Sequence, residues 1–314
     1  MPGDDETTLT PAEAFAILGN EHRIAILRAV AAAERDVADA SEPYGLSFSE
    51  LFDRVDLEAT SQFAYHLDRL VGSFLRETED GYRFTAAGER VVRAVLAGTY
   101  NEDPSFEPLT VEGRCPACDA STLVASYDTD QLAVTCADCG TRVFSQTLPP
   151  SAAVDRSPRD ALESGSLRAR HDFSLAVQGT CPTCAGVTDA ELRTGGTGQH
   201  VIACTCRQCG QTVFGPIAFA VLEHPAVVAF YWEHGVNLAE RPVWQIVADL
   251  LSDRWSSTVT SESPFAASLV VSFGDDELQL TLDETFAVER ARTVSTRGGS
   301  DDSEAVDENK QIRD

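Results

Sequence analysis

Apolar residues change their spacing several times along the first hundred positions, and each change marks an element. Thr10-Pro11 opens a helix, with Thr10 as N-cap and Pro11 at the first helical position, and Phe15, Ile17 and Leu18 lead to a stop at Gly19-Asn20. Ile24, Ile26, Leu27, Val30 and Ala31 form the apolar face of a second helix from Glu21 to about Asp39, followed by a loop at Ser41–Gly45. Ser49, Leu51, Phe52 and Val55 suit a short helix, and Asp56–Ala59 a tight connection to the next. Phe63, Leu67, Leu70, Val71 and Phe74 recur at helical spacing, so one side of a helix over 63–74 is apolar and buried. The period then drops to strands: 75–78 and 82–85 flank the turn Glu79-Asp80-Gly81. A last helix, entered at Thr85, buries Val91, Val92, Val95 and Leu96.

The polar side of this helix and its start carries Ser61, Gln62, Tyr65, His66 and Arg69, side chains of the kinds that reach base edges and phosphates. Helix, tight turn and helix followed by a hairpin is the order of a winged helix-turn-helix, which adds Arg76 and Arg83 of the hairpin to the DNA-binding set. A small helical core with a merely solvated polar face is the plainer alternative. The stretches TSQFAYHLDRL and GYRFTAAGERV resemble the ArsR-like winged-helix transcriptional regulators, the haloarchaeal branch above all, with His66-Leu67 and Leu70 at that family's recognition-helix signature. The resemblance covers roughly residues 10–100. It implies a homodimer paired through residues 11–19 and 86–97, with a pseudo-palindromic duplex site; the equal alternative is that these apolar faces close the monomer's own core. Two departures stand out. Phe74 occupies a position often glycine in that family, and no cysteine precedes Cys115, so its thiol metal-sensing site is missing.

Residues 100–112, with two prolines and several acids, read as a linker. Cysteine spacing then takes over. Cys115-x-x-Cys118 is followed by Cys136-x-x-Cys139-Gly140, and Cys181-x-x-Cys184 by Cys206-x-x-Cys209-Gly210; Val143-Phe144 and Val213-Phe214 complete an internal repeat. Two C-x-x-C pairs bridged by a hairpin supply four thiolates in a tetrahedron, so the pattern predicts two zinc ribbons with structural Zn²⁺. Disulfides and iron are the alternatives. Four thiolates leave no open position for water. In units this small the metal, at about 10–16 kcal/mol in finger peptides, is expected to supply most of the folding energy. The ninth thiol, Cys204, reads as buried and structural.

Ser157-Pro158 caps a connecting helix to about Gln178, with Leu162, Leu167, Phe173, Leu175 and Val177 for packing. Gly195–Gly198 reads as a hairpin turn of the second ribbon rather than a phosphate loop. Residues 224–236 and 242–253 read as helices, and 255–262, 265–273, 277–282 and 286–292 as strands of an antiparallel meander. His224 and His234 take helix-flanking roles rather than forming a metal pair. Residues 110–292 also resemble the ribbon-bearing C-terminal region of haloarchaeal winged-helix regulators. The expected fold class is α+β. Its parts are a disordered N-terminus (1–9), a winged helix-turn-helix (10–99), a linker (100–112), a first ribbon (113–150), a connecting helix (151–178), a second ribbon (179–216), an α+β module (217–293) and a disordered acidic tail (294–314).

Charge changes how such a chain would work. The net charge is −26 and Lys310 is the only lysine among 24 basic residues, a composition suited to a cytoplasmic protein of a halophile. The opening MPGDDETT, short, acidic and without an apolar run, reads as neither a signal peptide nor an anchor. Between Glu58 and Glu77 the only acid is Asp68, against Arg69 and Arg76, so the reading helix escapes the general acidity. At about 1 M salt the Debye length is about 3 Å, which suppresses long-range repulsion and also weakens counterion-release binding. Direct contacts must then carry more of the affinity. No nucleophile elbow, HExxH or Walker loop is present, so an enzyme is not expected. The expected function is transcriptional regulation on double-stranded DNA. The alternative is an adaptor of the transcription machinery acting through protein contacts, and an effector bound by the C-terminal module is a third reading.

Overall fold

The computed structural model describes residues 9–36, 45–194, 200–250 and 252–295. Expectations placed on 1–8, 37–44, 195–199 and 296–314 lie outside the described residues. The fold is mixed α+β with antiparallel sheets, and the chain divides into two units, Met1–Pro104 with Pro149–Asp155, and Ser105–Leu148 with Arg156–Asp314.

In the first unit, α1 (Pro11–Leu18) starts at a capping box in which Thr10 and Glu13 satisfy each other's backbone N–H groups. α2 (Glu21–Asp36) supplies Ile26, Leu27 and Val30 to the core. α3 (Phe48–Phe52) repeats the capping box with Ser47 and Glu50, and α4 (Thr60–Leu70) follows. Phe63 of α4 is the centre of this core, with Phe48 and Phe52 edge-on to its ring at 5.0 and 5.2 Å. The hairpin β1 (Leu75–Thr78) and β2 (Gly81–Phe84) pairs Leu75 with Phe84, and α5 (Ala86–Leu96) closes the unit with Val92 buried.

Three expectations change here. The fourth helix ends at Leu70 instead of 74, because Val71 turns extended and Gly72 takes φ +89°, a left-handed conformation that glycine adopts without steric cost. Val71 is then free to bridge to Leu75. Leu96 is exposed and Val91 and Val95 only half-buried, since α5 presents one narrow face to this core. His66 lies inside, as described below.

In the second unit the expected linker is partly a strand. β3 (Phe106–Val111) is the edge of a sheet ordered β3, β4 (Leu123–Asp128), β5 (Gln131–Cys136), β6 (Arg142–Thr147), with its register slipping between Phe106 and Leu109 around Pro108. Proline is tolerated there because an edge strand needs fewer N–H donors. After α6 (Ser151–Val154), which belongs to the first unit, α7 (Pro158–Val177) returns to the second unit and runs along two sheets. At Gly165 a side-chain carbon would come within 2.3 Å of Leu132 of β5. Further on, Phe173 lies over Gly215, in β9 (Thr212–Pro216) of the sheet it forms with β7 (Thr188–Thr194) and β8 (His200–Cys206). Leu167 and Leu175, expected to pack, fall on the outer side of α7 and are exposed.

A 3₁₀ turn at Ile217–Val221, α8 (Pro225–Glu233) and α9 (Val243–Leu250) precede the meander β10 (Trp255–Glu262), β11 (Phe265–Phe273), β12 (Asp276–Leu282), β13 (Val288–Ser295). The last strand extends to 295, into the region expected to be tail. One apolar cluster joins Phe173 of α7, Ile202 and Cys204 of β8, Phe230 and Tyr231 of α8, and Leu269 and Leu280 of the meander. The second cysteine unit, the connecting helix and the C-terminal module therefore share a core instead of forming three separate domains. Burial in this shared core contributes to their folding alongside any bound metal. Among the described residues no helix is long and apolar enough to cross a membrane.

Candidate metal centres and an exposed helix face

Each cysteine turn is built the same way. The N–H of its first cysteine donates to the carbonyl five residues on, Ala120, Thr141, Gly186 or Gln211, while the residue after the second cysteine donates back to the first cysteine's carbonyl at 2.9–3.1 Å. That following residue is left-handed in all four turns: Asp119 (φ 59°), Gly140 (72°), Ala185 (59°) and Gly210 (73°). The curl leaves backbone N–H groups aimed at sulfur, with Ala117, Thr183 and Gln208 each donating at 3.4 Å to Cys115, Cys181 and Cys206.

Strand pairing brings the turns together. Leu123 opposite Cys136 and Thr188 opposite Cys206 fix the registers, and all four sulfurs of each group lie within 4.8 Å of one another. Cys115 and Cys139 sulfurs are 3.6 Å apart, as are those of Cys118 and Cys136; in the second group Cys181–Cys209 is 3.7 Å and Cys184–Cys206 is 3.5 Å. A disulfide needs about 2.05 Å, whereas a tetrahedron with Zn–S bonds of about 2.3 Å puts sulfurs about 3.8 Å apart. The two groups, Cys115/Cys118/Cys136/Cys139 and Cys181/Cys184/Cys206/Cys209, are thus free thiols shaped to hold metal ions such as Zn²⁺. Their thiols do not titrate alike. Backbone donation from Cys139 holds Cys136 at about 6, and donation from Cys209 does the same for Cys206. Cys118 is favoured as thiolate by the Ala120 backbone but pushed up to about 12 by the sulfurs of Cys139, Cys136 and Cys115, with burial adding to the rise.

Cys204 is apart from both groups. It is fully buried in the shared core, where desolvation pushes its thiol up to about 11. His224 caps the start of α8 through its ring nitrogen, accepting from the Ala226 N–H, and His234 caps the end, with Nδ1 2.7 Å from the Phe230 carbonyl and Nε2 3.3 Å from Asp276. Neither joins a metal group among the described residues. Sequence reading missed the hydroxyls beside the sulfurs: Thr122 lies 3.6 Å from the Cys136 sulfur and Thr141 3.2 Å from that of Cys139. It also missed the left-handed Asp119 and Ala185, although the glycines at the matching places in the other two turns point to them.

On α4, Ser61, Gln62, Tyr65 and Arg69 are exposed together, with the Arg69 guanidinium 5.8 Å from the Tyr65 ring centre. His66 is different. It is 7% exposed, with Nδ1 buried and unpaired and its ring centre 5.1 Å from that of His22 on α2. The i, i+3, i+4 geometry of α4 explains this: His66 shares the face of Phe63 and Leu70, whereas Gln62, Tyr65 and Arg69 share the other. On the hairpin, Arg76 and Arg83 sit directly opposite each other, and neither forms an ion pair among the described residues.

Fold and sites together define a mixed α+β protein with two four-cysteine groups that could hold metal ions. The chain belongs to the family described as Domain of unknown function (DUF7351), which matches residues 112–288, and residues 11–95 match a second, Domain of unknown function (DUF7347). Neither the curated proteins nor the solved structures yielded a match. The first match spans both cysteine groups, α7 and the meander through the start of β13. It therefore follows the shared core.

Proposed function

We propose that this protein is a DNA-binding transcriptional regulator of the ArsR-like winged-helix kind, in which α3 and α4 form the helix-turn-helix, β1 and β2 the wing, and the two cysteine groups zinc ribbons. The observation that carries this reading is the sorting of α4: Phe63, Leu67 and Leu70 are buried, and Ser61, Gln62, Tyr65 and Arg69 all face outward. Amide, phenol and guanidinium groups in a row on a helix suit base edges and phosphates. Two arginines facing each other across a hairpin repel, and a phosphate between them turns that cost into binding energy.

Exposed apolar side chains support the homodimer. α1 buries none of its residues, and its Phe15 is 69% exposed, as is Tyr100 after α5. A second copy seated there would cover them. The mass in solution tests the pairing, with a monomer at working concentration counting against it.

The function itself is tested by fluorescence anisotropy of zinc-loaded full-length protein with duplex DNA in concentrated KCl. Arg76→Ala and Arg83→Ala should each weaken binding on all duplexes alike, by about fivefold. Binding that is undiminished in both variants contradicts the wing assignment. Association only with polymerase or melted promoter complexes would favour the adaptor reading instead.

A further inference from the structure

Inside the second unit, a cleft of about 800 Å³ opens where its three sheets each present an edge strand: β6, β9 and β10. Each is hydrogen-bonded on one side only. Its walls are of nearly equal polar and apolar character, with Phe144, Phe214 and Val247 among the apolar side chains and Ser145, Gln146 and Ser257 among the polar ones. Phe214 is 57% exposed despite being aromatic. This volume lies within the range of small-molecule sites.

The charge of the lining is the unusual part. Asp and Glu make up 50 of the 314 residues, yet none of the described residues lining the cleft is acidic. Its ionisable groups are Arg142, exposed on β6, and His200 at the start of β8. Arg142 makes no ion pair among the described residues. In a chain of net charge −26, a cleft with no acidic residue among its described lining, and with Arg142 outside any ion pair among the described residues, can hold one negative charge, although Asp172 stands behind Gln146 and the Cys139 sulfur behind Thr141.

From this geometry we infer that the cleft binds a small amphipathic monocarboxylate, its aliphatic or aromatic body against the Phe144, Phe214 and Val247 side and its carboxylate at Arg142. The site stands independently of the DNA-binding reading. It requires neither a duplex nor a dimer. Octanoate and its neutral counterpart octanamide, titrated calorimetrically into zinc-loaded full-length protein in concentrated KCl, test it. The wild type should bind octanoate more tightly than octanamide, and Arg142→Gln should remove that preference by weakening octanoate about tenfold. Ser257→Glu, at an exposed lining position on β10, adds a carboxylate to the cleft without touching the core and should also reduce octanoate binding. Unchanged circular dichroism and metal content show that both variants fold. Equal binding of the acid and the amide, no binding of either, or octanoate binding that survives both substitutions overturns the proposal. So does saturation by a strand-forming peptide alone, which would make the three edges a strand acceptor.

Discussion

The carbonyl oxygen of Phe74 lies where Gly88 has no room for a side chain: a Cβ there would stand 1.9 Å from it. Thr85 explains the close approach. Its N–H donates to the Phe74 carbonyl at 3.0 Å and its hydroxyl to the Ser73 carbonyl at 2.7 Å, so the start of α5 is fastened onto the segment leaving α4. The first turn of α5 thereby sets how the β1–β2 hairpin stands beside α4. Gly88→Ala must separate the two backbones. It should destabilise the first unit by about 1–3 kcal/mol, read from urea unfolding followed by near-ultraviolet circular dichroism. A variant as stable as the wild type would mean that α5 shifts freely.

Burial first, then the neighbouring His22 and Arg23, hold the His66 imidazole below its ordinary range. Well above the unfolded imidazole's pKa of about 6.5, His66 is neutral in both folded and unfolded chains, and stability has its full value. As pH falls through that point the unfolded chain takes up a proton that the folded unit resists, so stability declines until the folded group protonates too. Urea unfolding at about pH 7.5 and about pH 5.5 should show this loss, and His66→Leu should shrink it. An identical pH dependence in the variant would place the titrating group elsewhere.

Thiol chemistry separates the nine cysteines into two classes. Elemental analysis should find two metal ions per chain in the wild type, one in Cys136→Ser and in Cys206→Ser, and two in Cys204→Ala, whose sulfur belongs to the core. Cys204→Ala should lose about 1 kcal/mol of stability through the small cavity it leaves. Loss of metal from Cys204→Ala alone would reverse the assignment.

Ala185 holds φ 59°, the conformation that glycine occupies at the matching places Gly140 and Gly210. A Cβ is strained there by about 1 kcal/mol. Ala185→Gly should therefore raise the midpoint of thermal unfolding, or slow metal release to a chelator, in spite of removing an apolar carbon. A lowered midpoint would show that the Ala185 side chain contributes more by packing than its backbone loses.

Much of this architecture is readable from residue types. The four C-x-x-C turns, the capped starts at Thr10, Ser157 and His224, and the four-strand meander follow from local chemistry. What the sequence hides is long-range. The Pro108 strand looks like linker because its hydrogen bonds go to β4 alone, and its side chains alternate weakly. His66 looks like a reading residue because histidine is polar, and only the position of His22 on α2 shows which side of α4 is buried. The joining of the second cysteine unit to the meander depends on Phe173 and Ile202 sharing a core with Leu269 and Leu280, residues up to 107 positions apart. No local period carries that information. The cleft at Arg142 was equally invisible, since its walls come from seven helices and strands and the 3₁₀ turn.

Selection from a random duplex library by zinc-loaded full-length protein, run in concentrated KCl, tests the central proposal most directly. A specific site should be enriched by the wild type, and Gln62→Ala and Arg69→Ala should lose discrimination at particular base pairs, about 1–3 kcal/mol at each, while folding and binding metal normally. Affinity should fall less steeply with added salt than it does for a lysine-rich binder. Enrichment of no sequence, or the same enriched site from all three proteins, would contradict the assignment of the exposed face of α4 to the groove.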